Sequence, residues 1–451
     1  MWPYKSLESY AVLSESLIWG DRAGKRLFGT HGVSGSSGAD MTTGFANRLA
    51  LAFGSVLQPG ELIGIGHDGS PYARLIAGAM ESGLHASGVH TVSFGVSTSA
   101  VSRFATSQLE CRGGLHVRRL SDEEPDRLAI EFLDEEGLPL SPDAERKIEN
   151  AYIQEDMRRM PAHRLGRRKP GQRAIELYGD RLLAALERHA VRDLGYVVVL
   201  EHGGEPFDAL LSRIFEALGC RAIRLQRAPS ARSAAAADLA DCVRCNGADL
   251  GVRLDAGGQV ALLVTDRGEP VGEDMLFVLQ TMAQLEQQDS PLAVPVNAPD
   301  IDWLLGMAVS GGVVRTKADP RALMESSRHE GLHIHFDGLY SLVMTLQLMA
   351  VQGKRLSQLI EAVPAFALFK KQVECPWNEK GKVMRFLMEE TKGKKVELID
   401  GIKVFHDEGW TLILPDREEP MFQVFANADS PQMAEELAVR YAQKIMHFRE
   451  R

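Results

Sequence analysis

Long apolar runs, basic blocks and a paired set of cysteines are all missing from this chain of 451 residues. No apolar stretch approaches the ~20 residues of a membrane span, and the opening Met1-Trp2-Pro3-Tyr4-Lys5 lacks the charged-then-apolar order of a signal peptide, so no membrane association is expected. The largest basic pieces are Arg158-Arg159 and Arg167-Arg168-Lys169, and the formal charge is −10, which argues against a nucleic-acid partner. Five cysteines are an odd, scattered set that excludes a disulfide framework and fits a reducing, cytoplasmic compartment. Cys242-Val-Arg-Cys245 has no second Cys/His pair, so its spacing is read as coincidence rather than a metal or redox site.

What is present is an ordinary globular composition, 45% hydrophobic and 25% charged, in a chain too long for one core. Roughly 100 to 200 residues per domain predicts three or four units. Leu62 to Gly66 reads as a strand, Ala73 to Met80 as a helix that Gly83 breaks, and Thr91 to Phe94 as a second strand. Strand, helix and strand at this spacing make a βαβ unit with parallel strands. The pattern recurs at Tyr196–Leu200, Phe207–Leu218 and Ala222–Leu225, and again at Leu292–Val296, Ile301–Val309 and Gly312–Arg315. A polar segment from Ile153 to Arg173, carrying Pro161, Gly166, Pro170 and Gly171, reads as a linker. Towards the end, Lys395–Val404 reads as two strands around Asp400-Gly401, and two more strands with a helix from Pro431 to Met446 complete an α+β module.

Local sequences in this layout resemble the phosphohexomutase (phosphomannomutase/phosphoglucomutase) family over about Lys25 to Ile445. Phe28-Gly29-Thr30-His31-Gly32-Val33-Ser34-Gly35 is similar to that family's F-G-T-D-G-[IV]-R-G, and Gly113-Gly114-Leu115-His116-Val117 to the strand before its catalytic serine. Gly247–Gly251, Phe336–Leu339 and Asp400–Val404 follow in the family's order. The resemblance implies three tandem α/β domains plus a C-terminal α+β domain, with boundaries expected at 1–169, 170–272, 273–369 and 370–451. It further implies phosphoryl transfer between the 1- and 6-positions of a hexose through a phosphoserine, with Mg²⁺ and phosphate-holding loops.

This chain departs from each of those motifs. Where the family reads T-A-S-H-N-P, the sequence runs Arg118-Arg119-Leu120-Ser121-Asp122-Glu123-Glu124-Pro125, so Leu120 holds the serine position and Ser121 is the nearest candidate nucleophile. The metal motif D-G-D-A-D-R aligns with Asp255-Ala256-Gly257-Gly258-Gln259-Val260, leaving Asp255 as the one carboxylate for Mg²⁺; no cofactor is expected, and the segment is read in preference as a plain turn between strands. His329 and Glu330, in the 326–331 connection leading to an expected strand Leu332–Phe336, are the candidates for contacting a sugar. The phosphate motif R-P-S-G-T-E-P aligns with Leu414-Pro415-Asp416-Arg417-Glu418-Glu419-Pro420, in which Arg417 is the one cation. Ser34 and His67-Asp68-Gly69-Ser70 replace further family arginines, so an anion in the cleft would rely on Arg118, Arg119 and Arg417, with His67 as a further candidate. His31, His67, His116 and His202 either gather in one cleft or stay on separate loops.

Three functions fit. The first is a catalytically impaired relative that binds sugar phosphate or serves regulation or assembly in sugar-nucleotide metabolism. Cys375-Pro376-Trp377 and Lys380–Arg385 resemble the mutase-like C-terminal part of sugar-1-phosphate nucleotidyltransferase/mutase proteins, which makes a separate nucleotidyltransferase the candidate partner. The second is an active phosphohexomutase with a rearranged site, and the third a structural oligomerisation module.

Overall fold

The computed structural model describes residues 27–449 apart from 121–125, 172, 187–190, 202–207, 226–234, 256, 260, 287–291, 300, 302–303, 305–312, 327–330 and 418. Its described strands form four separate sheets. The first contains β1 (Val33–Ser36), β2 (Leu62–His67), β3 (His90–Val96), β4 (Gly113–Arg119), β5 (Arg127–Leu133) and β6 (Arg168–Lys169), in the order β1-β5-β4-β2-β3-β6. Strands β4, β2, β3 and β6 are parallel; at one edge β5 pairs antiparallel with β4, and β1 pairs antiparallel with β5.

The helices of this unit start where the sequence supplies caps. Thr42 accepts from the Phe45 amide at the start of α1 (Thr43–Val56), and Ser70 caps α2 (Pro71–Ala86), with Pro71 in the first turn. Thr98 caps α3 (Ser99–Gln108). Helix α2 runs straight through Gly83, contrary to the sequence expectation of a break. The reason is packing: a Cβ there would run into the Asn47 carbonyl and Ala50 of α1, so the glycine permits close helix approach.

The second sheet holds β7 (Val197–Glu201), β8 (Arg221–Arg224), β9 (Leu250–Leu254) and β10 (Ala261–Thr265) in the order β10-β9-β7-β8. The first sheet repeats this order in β5-β4-β2-β3, so the β4–β5 and β9–β10 hairpin loops are topological equivalents. The third sheet pairs β11 (Leu292–Pro295) with β12 (Val313–Thr316) in parallel. The fourth is antiparallel throughout, built from β13 (Ala367–Glu374), β14 (Val396–Glu397), β15 (Ile402–His406), β16 (Gly409–Pro415) and β17 (Met421–Ala428), with the helix Pro431–Arg449 packed on it.

Two expectations need correcting. The polar stretch 153–173 is no free linker: it supplies β6, which pairs with β3, and Gly166 lies so close to the Val89 carbonyl that no side chain would fit. Leu332–Phe336 is not a strand; Ile334–Phe336 forms a 3₁₀ turn that leads into the helix Gly338–Gln352. Most of the expected helix Ile301–Val309 lies outside the described residues.

One buried core joins the first three units. It runs from Val101 and Phe104 of α3 through Tyr178 and Leu182 to Val198 and Leu200, and on to Leu342 and Leu346. The loops at this junction are therefore held by common packing rather than by flexible linkers. The fourth unit is fastened to the third by the buried Lys403 ammonium, which donates to the Val296 carbonyl at 2.8 Å and lies 3.9 Å from the Trp410 ring centre. Among the described residues no helix is long and apolar enough to cross a membrane.

Candidate functional site

Alternation along β4 sends Leu115 and Val117 into the core beneath α1 and α2, and His116 and Arg118 to the opposite face. On that face His116 Nδ1 meets Ser102 Oγ of α3 at 2.8 Å, and burial pushes the imidazole down to about 4, so it is neutral at pH 7. Its cross-strand neighbour is Glu131 of β5. Arg118, diagonal to Glu131, donates from Nε to Glu131 Oε1 at 2.6 Å.

Arg118 is 3% exposed, and its fork is almost fully used. Nη1 donates to the Arg119 and Leu120 carbonyls at 3.0 and 3.1 Å, and Nη2 to Gln259 Oε1 at 3.4 Å. Burial by itself would lower the guanidinium's pKa, but Glu131 beside it prevails and raises it. Burial likewise works against ionised Glu131, yet Arg118, His116 and Arg103 hold that carboxyl down at about 2. The pair is ionised at all physiological pH.

The equivalent loop of the second unit closes on this pair. Asp255 follows β9, Gln259 N donates to Asp255 Oδ1 at 2.7 Å, and Gln259 Nε2 donates to Glu131 Oε1 at 2.8 Å. Gly258, with φ +63°, turns the chain against Thr98, whose methyl a Cβ there would overlap. The Gly257 carbonyl accepts from Ser99 N at 3.1 Å and the Gly258 carbonyl from Gly338 N at 2.9 Å. One hairpin turn thus touches the N-terminal ends of two helices, one in the first unit and one in the third. The adjoining Asp337 is fully buried; burial pushes its carboxyl up to about 6 although Tyr178 and the Tyr340 amide donate to it.

The residues singled out from sequence divide as follows. Arg118 and Asp255 come together, both 3.2 Å from the point a Gly257 Cβ would occupy. Arg119 sits at the rim, its amide donating to Asp68 Oδ2 at 2.8 Å and its Nε 3.4 Å from the same oxygen. Asp68 is held below the usual carboxylate range: burial opposes this, but the Arg119 amide and Ser70 prevail. Arg417 bonds Asp319 Oδ2 at 2.8 Å on the third unit. Ser121, His329, Glu330 and His202 lie outside the described residues. His67 takes the Gly69 amide on Nδ1, and no bond joins it to the buried His116 in the described structure. Cys242 and Cys245 are free thiols, and no group of three or more His, Cys, Asp or Glu able to hold a metal occurs among the described residues.

Three contributors were not legible beforehand. Glu131 and Gln259 act only through tertiary proximity. Lys380 lies beneath the loop that aligns with the phosphate motif, donating to the Asp416 and Glu419 carbonyls at 2.6 Å each, with its ammonium 3.7 Å from the Trp377 ring centre. The i, i+3 spacing of Trp377 and Lys380 was the available signal.

Comparison with known proteins extends the picture. Residues 25–159 match the family described as Phosphoglucomutase/phosphomannomutase, alpha/beta/alpha domain I. Over 441 residues the chain is 26% identical to a Methanopyrus kandleri protein named "Probable phosphoglucosamine mutase", covering 91% of this chain and 96% of that one. It is 25% identical to a Thermococcus kodakarensis protein named "Phosphoglucomutase/phosphomannomutase", with the same coverage. The crystal structure of a phosphoglucomutase/phosphomannomutase family protein from Burkholderia thailandensis shares the fold with a TM-score of 0.75 at 19% identity, over 93% of this chain and 98% of that one.

Proposed function

Because the chain belongs to the phosphohexomutase superfamily, we propose that it acts on hexose phosphates and that its reaction class is the interconversion of hexose 1- and 6-phosphates. The observation that carries this reading is similarity over 91% of this chain to proteins named as phosphoglucosamine mutase and phosphoglucomutase/phosphomannomutase, in a fold that brings the Arg118–Leu120 and Asp255–Gln259 loops to one junction. Ser121 is the nucleophile in this reading. Arg119, with its head near the rim at Asp68, and Arg417, half-exposed beside Asp319, are the cations that would meet a phosphate. His329 and Glu330 are the proposed sugar contacts.

A second reading, binding without turnover, has its own support. Leu120 stands where the resemblance puts the serine, and its carbonyl is pinned by the Arg118 fork, which fixes the backbone just before Ser121. A displaced nucleophile is costly, since productive sites tolerate roughly 0.5 Å of misplacement. In this reading the partner is a sugar-1-phosphate nucleotidyltransferase, which would use a hexose 1-phosphate held in the cleft.

Phosphorus NMR of glucose, mannose and glucosamine 1-phosphates incubated with the protein, Mg²⁺ and a hexose bisphosphate separates the two. Appearance of the 6-phosphate, lost in Ser121→Ala together with phosphate on Ser121 in the mass spectrum, supports the mutase. No turnover, with ligand-induced line broadening retained, supports binding alone.

A further inference from the structure

We propose that the Arg118 guanidinium takes the place of a divalent cation at the junction of the first and second units, so that this centre carries its own fixed positive charge and recruits no Mg²⁺. The superfamily reading is the reason a metal is looked for here; the argument itself rests on what surrounds Asp255.

Three of the oxygen donors a metal would need, Asp255 Oδ1, Glu131 Oε1 and the Gln259 side-chain oxygen, are already hydrogen-bonded, and the guanidinium stands among them. Asp255 Oδ1 accepts from its own loop at Gln259 N, and Oδ2 faces the Arg118 stem across the Gly257 turn. Glu131 Oε1 accepts from both Arg118 Nε and Gln259 Nε2. The Gln259 side-chain oxygen, which could ligate a hard cation, instead accepts from Arg118 Nη2. Magnesium demands near-octahedral oxygen coordination at roughly 2.0–2.1 Å. These groups are arranged around a planar guanidinium, which uses bonds of hydrogen-bond length.

Charge leads to the same conclusion. Arg118 faces Glu131, Asp255 and Asp68, and Arg103 faces Glu131 and Asp337, so the acids at the junction already have buried guanidinium charge beside them without any ion. Arg103 is itself anchored on the far side by donating to the Phe336 carbonyl. Arginine is permanently charged, and its fork holds two carbonyls and a carboxylate at once; a lysine at 118 would supply one point charge and lose that geometry. Removing the guanidinium while keeping volume would leave Asp255 and Glu131 facing each other. Glu131 Oε2, buried and without a hydrogen bond, would then be available as a ligand.

The test counts Mn²⁺ directly. Electron paramagnetic resonance of free Mn²⁺, titrated with the full-length protein and no sugar phosphate, should show no stoichiometric uptake at micromolar protein and metal. Arg118→Met should take up one ion per chain, and Arg118→Met/Asp255→Asn should lose it. A second measurement needs no variant: the melting temperature of the wild type should be the same in EDTA and in millimolar Mg²⁺. The proposal is overturned by one Mn²⁺ per wild-type chain that Asp255→Asn releases, by a Mg²⁺-dependent rise in melting temperature, or by a folded Arg118→Met that takes up no metal. None of these readouts uses a sugar phosphate, so failure of the hexose-phosphate reading leaves them unchanged.

Discussion

Glu131→Gln isolates the charge that organises the junction. The substitution keeps shape and one acceptor oxygen but removes the closest counter-charge of buried Arg118, leaving only Asp255 and Asp68 to act on it. Glu131 is held at about 2, against an ordinary 4.5. A difference of that size at about 1.4 kcal/mol per unit amounts to about 3 kcal/mol, which agrees with the ~3–5 kcal/mol typical of breaking a buried ion pair. Because the folded-state pKa is depressed, this stability is fully present above the unfolded value and is lost as pH falls through the folded one. The wild-type advantage over Glu131→Gln should therefore be level from pH 8 to about 5, begin to shrink below 4.5, and be roughly halved near pH 3. Urea unfolding of both proteins at matched pH values, followed by a probe in the first unit, gives the difference; other carboxylates titrate in both and cancel. A difference that stays constant with pH, or one under about 1 kcal/mol at pH 7, would refute the reasoning.

Asp337→Asn should behave with the opposite sign. The wild-type carboxyl is pushed up to about 6, so folding opposes its ionisation, and the variant's relative stability should rise by about 2 kcal/mol as pH increases from 4 to 7; calorimetry across that range would show it, and a flat difference would contradict it. Lys380→Met removes two charged hydrogen bonds beneath the 415–420 loop and should cost about 2 kcal/mol, with faster amide exchange at Glu419 and Met421 as the specific sign. Gly258→Ala should destabilise by more than about 2 kcal/mol through its positive φ and the Thr98 overlap, whereas Gly272→Ala, with open space around it, should be close to neutral.

The parts of the fold that local chemistry dictates were visible in the residues. The apolar runs read as strands at Leu62–Gly66 and Tyr196–Leu200 form strands at Leu62–His67 and Val197–Glu201, and the Asp400-Gly401 turn, with Gly401 at φ +73°, and the C-terminal helix appear where their patterns place them. Gly83 misled because its role is to let α1 and α2 approach, a tertiary effect that overrides its low helix propensity. At the candidate site, motif order was enough to bring Arg118 and Asp255 to one place. What it could not reveal was that Arg118 is spent on Glu131, the Leu120 carbonyl and Gln259. Glu131 reaches it through a hairpin register, and Gln259 from a loop more than a hundred residues away, so neither leaves a mark in local sequence. The equivalence of the two hairpin loops likewise emerges only from the matching strand orders of the first two sheets.

Isothermal titration of the full-length protein with glucose, mannose and glucosamine phosphates, run in EDTA and repeated in Mg²⁺, tests the central claim that this is a hexose-phosphate protein whose junction carries its own cation. The account predicts saturable binding of at least one of these ligands with a dissociation constant below about 1 mM, equivalent to about −4 kcal/mol, unchanged by the metal. Absence of heat for every sugar phosphate at millimolar concentration, or binding that appears only when Mg²⁺ is added, would contradict it.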